Sequence, residues 1–179
     1  MMASFGVHFL ILCIFTLSYQ PFTLVRADDN LINSLCSKAD FPSICSDCLT
    51  SNPSSKTADA PELSIIAISC AQKEANLLYE DLSSQYESAP EGPLKTILGD
   101  CAERTLEARN DFESVLQSVS VRNYGGAKGI VINLIQPLVD SCTGHFSDLP
   151  DIPIPADVAA GIQEVTFHCK NVEAILSNI

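Results

Sequence analysis

Apolar side chains recur in steps of three and four along most of this chain. That spacing puts them on one face of an α-helix. The first such stretch, residues 59–87, carries Leu63, Ile66, Ala67, Cys70, Leu77, Leu78 and Leu82. Asp59 followed by Glu62 has the form of a capping box, and Pro61 falls in the first turn, where proline is tolerated. The segment Ser88-Ala89-Pro90-Glu91-Gly92-Pro93 ends this helix. Leu94, Ile97, Leu98, Cys101, Thr105, Ala108, Phe112, Val115, Leu116 and Val119 form the next stripe. After a break at Arg122-Asn123-Tyr124-Gly125-Gly126 comes a third, with Ala127, Ile130, Val131, Leu134, Ile135, Leu138 and Cys142. Pro137 lies inside it and predicts a kink, because proline removes a backbone donor. Pro150, Pro153 and Pro155 mark a rigid connection to the last stripe: Val158, Ile162, Val165, Cys169, Val172, Leu176 and Ile179.

Four amphipathic helices with mostly short connections predict an all-α fold, an up-down-up-down four-helix bundle over residues 59–179. No period-two alternation suggests a sheet. Residues 28–58 differ. Two short helical candidates, 28–38 and 43–49, flank Asp40-Phe41-Pro42 and read as a helical hairpin appended to the bundle. The 28–179 region is then one domain.

The apolar run of residues 9–17 is too short to span a bilayer. It ends in Ser18-Tyr19-Gln20-Pro21, and Val25-Arg26-Ala27 places small residues at the −3 and −1 positions of a cleavage site. Residues 1–27 read as a secretory signal peptide, so the mature chain starts at Asp28 and is not held in a membrane.

The charge balance narrows the partners. Ten Lys and Arg stand against 22 Asp and Glu, a formal net charge of −12. A nucleic-acid binder needs clustered cations against phosphate, and anionic lipid needs the same. A basic partner fits better. Glu103, Glu107 and Asp111 share the polar face of the second bundle helix, a solvated face that can double as a docking surface. No nucleophile elbow, zincin, Walker or Rossmann motif occurs, and no catalytic residue or cofactor is expected. His168 and Cys169 are adjacent, so on a helix they point about 100° apart and form no nucleophile–base pair.

Seven cysteines follow the predicted cleavage site, and a secreted route makes disulfides the expected state. Cys36 and Cys45 flank the Phe41-Pro42 turn at nearly equal distance, so a bridge is feasible. Cys101 and Cys142 lie almost symmetrically about Arg122 and meet in an antiparallel helical hairpin. Cys70 and Cys169 sit on the first and last bundle helices. There they face each other across the core, either as two buried thiols or as a third pair, which leaves Cys48 over. Cys45-x-x-Cys48 lacks the βαβ context of a redox motif. A zinc site from Cys45, Cys48, His145 and His168 lacks a second paired-ligand motif, so no metal is expected.

Several segments together resemble the plant invertase and pectin methylesterase inhibitor family. They are Leu31-Ile32-Asn33-Ser34-Leu35-Cys36 with Cys45 after it, then Ser51-Asn52-Pro53-Ser54-Ser55-Lys56-Thr57-Ala58-Asp59, then Leu94-Lys95 to Cys101, then Asn123-Tyr124 to Cys142. The resemblance implies a cofactor-free secreted inhibitor of the apoplast or cell wall, or of the vacuole, bridged Cys36–Cys45 and Cys101–Cys142. It also implies a protein partner, pectin methylesterase or acid invertase, bound one to one across its substrate cleft. Invertase inhibitors of the family carry Pro-Lys-Phe before the fourth-cysteine helix. This chain has Val121-Arg122-Asn123-Tyr124 there, which favours the esterase as target. Arg122, Asn123 and Tyr124 join Glu103, Glu107 and Asp111 as candidate partner-binding residues. An inhibitor-like fold with a different binding role is the alternative. Lipid-transfer proteins differ from this chain, which lacks their adjacent Cys-Cys and Cys-x-Cys elements.

Overall fold

The computed structural model describes residues 29–179. The predicted signal peptide lies outside the described residues. Helices α1 (Asp29–Cys36) and α2 (Pro42–Ser51) form the hairpin, and a short 3₁₀ turn, Pro53–Thr57, leads out of it. The bundle begins with α3 (Ala60–Ser88) and α4 (Pro93–Ser120). Its third member runs through α5 (Tyr124–Ile130), a π-helical turn (Val131–Ile135) and α6 (Gln136–Ser147), and its last is α7 (Ala156–Leu176). Among the described residues there is no strand. Helix α3 packs on α4 and α7, α4 packs on α5 and α6, and α6 returns to α7, so the four members close a ring around one core. Leu63, Ile68, Leu82, Leu98, Phe112, Ile135 and Ile175 fill it and are wholly buried. Each such side chain contributes about 1.5–3 kcal/mol by leaving water.

The predicted start of α3 is made by the residues that announced it. Asp59 Oδ1 accepts from the Glu62 N–H at 2.9 Å, and Glu62 Oε2 accepts from the Asp59 N–H at 2.8 Å. Farther along, α7 crosses α3 at Gly161, where a Cβ would lie 2.8 Å from Leu78 Cδ1. A larger residue there would require the end of the Leu78 side chain to shift.

The third member departs from its predicted stripe. Its buried residues are Ala127, Val131, Ile135, Val139, Cys142 and Phe146, whereas Leu138 is half-buried and Leu134 is 50% exposed. Three successive steps of four overrun the 3.6-residue period. The π-turn absorbs the excess. There the Gln136 N–H donates to the Val131 carbonyl, five residues back rather than four. Pro137 follows directly in the first turn of α6, so the wider turn also accommodates the residue that cannot donate.

Three disulfides staple the fold: Cys36–Cys45 within the hairpin, Cys101–Cys142 between α4 and α6, and Cys48–Cys70 between α2 and α3. The third corrects the expectation that Cys70 faces Cys169 across the core, as a buried thiol or as a third pair, and that Cys48 is left over; Cys169 alone is a buried free thiol. The reason is rotational. Ala71 is fully buried and holds the core position on α3. Cys70, one residue earlier and about 100° around the helix, is half-buried and faces the hairpin. Cys169 is a free thiol, fully buried on α7, and burial pushes its pKa up to about 12.

Two further contacts hold the hairpin to α7. Asn171 is 2% exposed; its Nδ2 donates to the Phe41 carbonyl at 3.1 Å, and its Oδ1 accepts from the Phe41 N–H at 3.2 Å. Beside it, the Phe41 and Phe167 rings stack with centroids 3.9 Å apart. One side chain therefore satisfies both backbone groups of the residue that turns the hairpin.

Candidate functional site

Helix α4 presents its acidic residues to solvent in one row. Asp100, Glu103 and Glu107 are exposed and follow one another in steps of three and four, so the three share a face. With Arg104 they rim a shallow surface depression. Asp111 continues the sequence one turn on but is half-buried. The adjoining groove between α3 and α4 is lined by Tyr79, Tyr86, Glu87, Glu91 and Lys95, and it shares Asp100 and Glu103 with the depression. Lys95 Nζ pairs with Glu91 at 2.8 Å and lies 5.3 Å above the Tyr86 ring centroid, and the Glu91 hydrogen bond raises its pKa. The Tyr86 ring lies against α4 at Gly99, 3.0 Å from where a Cβ would stand.

The second cluster sits at the far end of α4. The Asn123 N–H donates to the Ser118 carbonyl and the Arg122 N–H to the Val119 carbonyl, both at 2.8 Å. These are the two bonds of a Schellman cap, and Arg122 takes the left-handed position with φ 59°. Glycine is the usual occupant there, because a side chain in that conformation costs roughly 1–2 kcal/mol. The turn pushes Val121 (71% exposed) and Arg122 outward. Asn123 caps the next helix by accepting from the Gly126 N–H at 3.0 Å, and Tyr124 packs half-buried against the core. At a rise of 1.5 Å per residue, Arg122 lies about 20 Å from Glu107. The six predicted binding residues thus fall into two groups, one along α4 and one at the turn from α4 into α5. Asp100 and Tyr86 were not among them. Asp100 was readable from its step to Glu103; Tyr86 was not, since its position depends on how α3 meets α4.

His145 lines a neighbouring pocket with Asp100, at the edge of the acidic row, whereas His168 takes no part in either patch. His168 lies beside the Cys48–Cys70 bridge, and burial lowers its pKa below 6.5 against a smaller opposing pull from Glu74 and Glu164. A histidine with a depressed folded pKa binds fewer protons in the native than in the unfolded state. Its stabilising contribution is present above pH 6.5 and lost as pH falls through the lower folded value. Thermal unfolding of His168→Gln between pH 7 and pH 5 is expected to show a shallower loss of Tm than the parent protein. Equal slopes would remove His168 from the acid sensitivity. Among the described residues no group of three His, Cys, Asp or Glu side chains is placed to hold a metal ion. No described helix is long and apolar enough to cross a membrane.

A family model described as plant invertase/pectin methylesterase inhibitor matches residues 30–175, which spans the hairpin and all four bundle members. The chain belongs to this inhibitor family. An inhibitor relative, the cell wall/vacuolar inhibitor of fructosidase 2 from Arabidopsis thaliana, is 25% identical over 94% of this chain and 95% of its own. A pectinesterase inhibitor from Actinidia deliciosa is 28% identical over 80% of this chain and 76% of its own. In fold, the chain matches the crystal structure of a mutant form of a pectin methylesterase inhibitor from Arabidopsis with a TM-score of 0.67 at 17% identity, covering 82% of this chain and 95% of the other. A second Arabidopsis pectin methylesterase inhibitor structure matches with a TM-score of 0.61 at 16% identity, covering 84% and 96%. The family consists of inhibitors rather than enzymes, and its partners are proteins. The names of these relatives fit an extracellular or vacuolar setting.

Proposed function

We propose that this family member is a secreted inhibitor of pectin methylesterase, acting as a one-to-one plug over the substrate cleft after removal of residues 1–27. The observation that carries the reading is the exposed row Asp100, Glu103 and Glu107 on a rigid, disulfide-bound helix. Such a row complements a basic enzyme surface, and charges of this kind act mainly on association rate. The Val121–Tyr124 turn lacks Pro-Lys-Phe, which speaks against insertion into an invertase cleft. Acid invertase is the second reading, favoured by the strained, outward Arg122 and by the fructosidase-inhibitor relative.

A paired titration separates the two. The oxidised protein is expected to inhibit a plant pectin methylesterase saturably at one equivalent in low salt, and to leave acid invertase active. Charge reversal in Glu103→Lys/Glu107→Lys should weaken inhibition about tenfold, mostly through slower association that added salt mimics. Arg122→Gly should leave esterase inhibition unchanged while stabilising the fold by up to about 1 kcal/mol, because glycine relieves the left-handed residue. Inhibition of invertase alone, abolished by Arg122→Gly, would overturn the esterase reading.

A further inference from the structure

The three disulfides differ in what surrounds them. Cys36, Cys45, Cys101 and Cys142 are all buried. The Cys48–Cys70 bridge lines an open surface groove where α2, α3 and α7 meet; Cys48 is 8% exposed, and Cys70 is the one bridge cysteine that is only half-buried. It is also the covalent link between the hairpin and the bundle: Cys36–Cys45 closes within the hairpin, and Cys101–Cys142 lies within the bundle. We propose that Cys48–Cys70 is a redox-operated latch, opened by a small dithiol or a protein dithiol, which sets whether the N-terminal hairpin is pinned to α3. The inference goes beyond the inhibitor reading and does not depend on which enzyme is the target.

The chemistry balances with the dithiol as two-electron donor. One thiolate of the reductant attacks Cys70 Sγ, the sulfur of the less buried residue of the pair. The Cys48–Cys70 bond breaks, its electron pair leaves on Cys48, and that sulfur takes a proton from water. The reductant's second thiolate then attacks its own sulfur in the mixed disulfide. The reductant leaves oxidised, with Cys70 as a thiol. The free thiol of Cys169 is no resolving partner, since it is fully buried and its pKa is held at about 12. Asp47, Glu74 and Glu164 share the groove with a single cation, Lys73, while the depressed pKa of His168 keeps that ring neutral near pH 7. The groove is therefore negative and selects among reductants, admitting neutral or cationic thiols before anionic ones. After opening, the hairpin stays joined to the bundle by the main chain through Pro53–Thr57 and by non-covalent ties, among them the Asn171 clamp and the Phe41–Phe167 stack.

The test begins with oxidised protein in native buffer containing dithiothreitol, quenched at intervals with iodoacetamide and mapped by mass spectrometry. Cys48 and Cys70 should become labelled at least about tenfold faster than the other four bridge cysteines, because exchange requires access to a sulfur and Cys70 offers it. Backbone amides of residues 29–57 should then exchange faster with deuterium while those of α4 do not. Cys48→Ser/Cys70→Ser should show the same fast hairpin exchange without reductant. With thiolate concentrations matched, cysteamine should open the bridge faster than 3-mercaptopropionate, with the difference shrinking in 0.5 M salt as charges are screened. Simultaneous labelling of all six cysteines, first opening of another bridge, or unchanged hairpin exchange after Cys48 and Cys70 are free would each overturn the latch. The labelling order in the native parent protein gives this answer even if the double variant fails to fold.

Discussion

Removing the Cys101–Cys142 bridge, as in Cys101→Ala/Cys142→Ala, is expected to cost about 4 kcal/mol of stability, the value for a loop of this length. The two residues are 41 positions apart and tie α4 to α6, with both sulfurs buried in the core. For a domain of this size, each kcal/mol shifts the melting temperature by about 2–4 °C, so a fall of about 10 °C is expected. The unfolded chain gains freedom, while the native core loses two buried sulfur atoms. Calorimetry of the oxidised variant is the check. A change under about 1 kcal/mol would mean that the unfolded state already keeps α4 and α6 together.

Replacing Asn171 with leucine is the second large effect. Leucine has nearly the same size, so little packing volume changes. It leaves the Phe41 N–H without its side-chain partner, while the Phe41 carbonyl keeps the Cys45 N–H at 3.0 Å. A backbone group stranded in this way costs about 1–3 kcal/mol, so a loss of about 1–3 kcal/mol is expected. The damage should be local. Amides of α1 and α2 should exchange faster in Asn171→Leu, and their exchange should rise further when Cys48–Cys70 is opened. Urea unfolding gives the magnitude and hydrogen exchange gives its place. Uniform loss of protection across α3 and α4 would show instead that hairpin and bundle unfold as one unit.

The bundle was legible because its signals are local. Asp59 and Glu62 fixed the start of α3, and the stripes on α4 and α7 needed only a 3.6-residue period. What failed to read needed information from elsewhere. Cys70 looked like a core residue because it belongs to an apolar run; only the rotation of α3, set by Ala67, Ala71 and Ala75 against the neighbouring helices, turns it toward Cys48. Asn171 sits among apolar residues on a buried helix, and its role depends on a turn 130 positions earlier. The candidate binding surface was half legible. The row of carboxylates on α4 follows from spacing, but its distance from the Arg122 turn had to come from the fold. The strain at Arg122 carries no sequence signal either, because an arginine before an asparagine announces no left-handed backbone.

The π-turn at Val131–Ile135 has a consequence for length. Its buried residues advance by four, four and four before settling to three and four. Removing one residue from the turn would renumber that series into four, three, four, three and four, the register of an unbroken α-helix. The turn is thus a stored insertion, kept beside the one proline of α6 that a regular helix would reject. Deletion and loss of that proline belong together: a chain carrying both changes would keep every core contact in place, while a chain carrying the deletion alone would drive the Pro137 ring into the preceding turn.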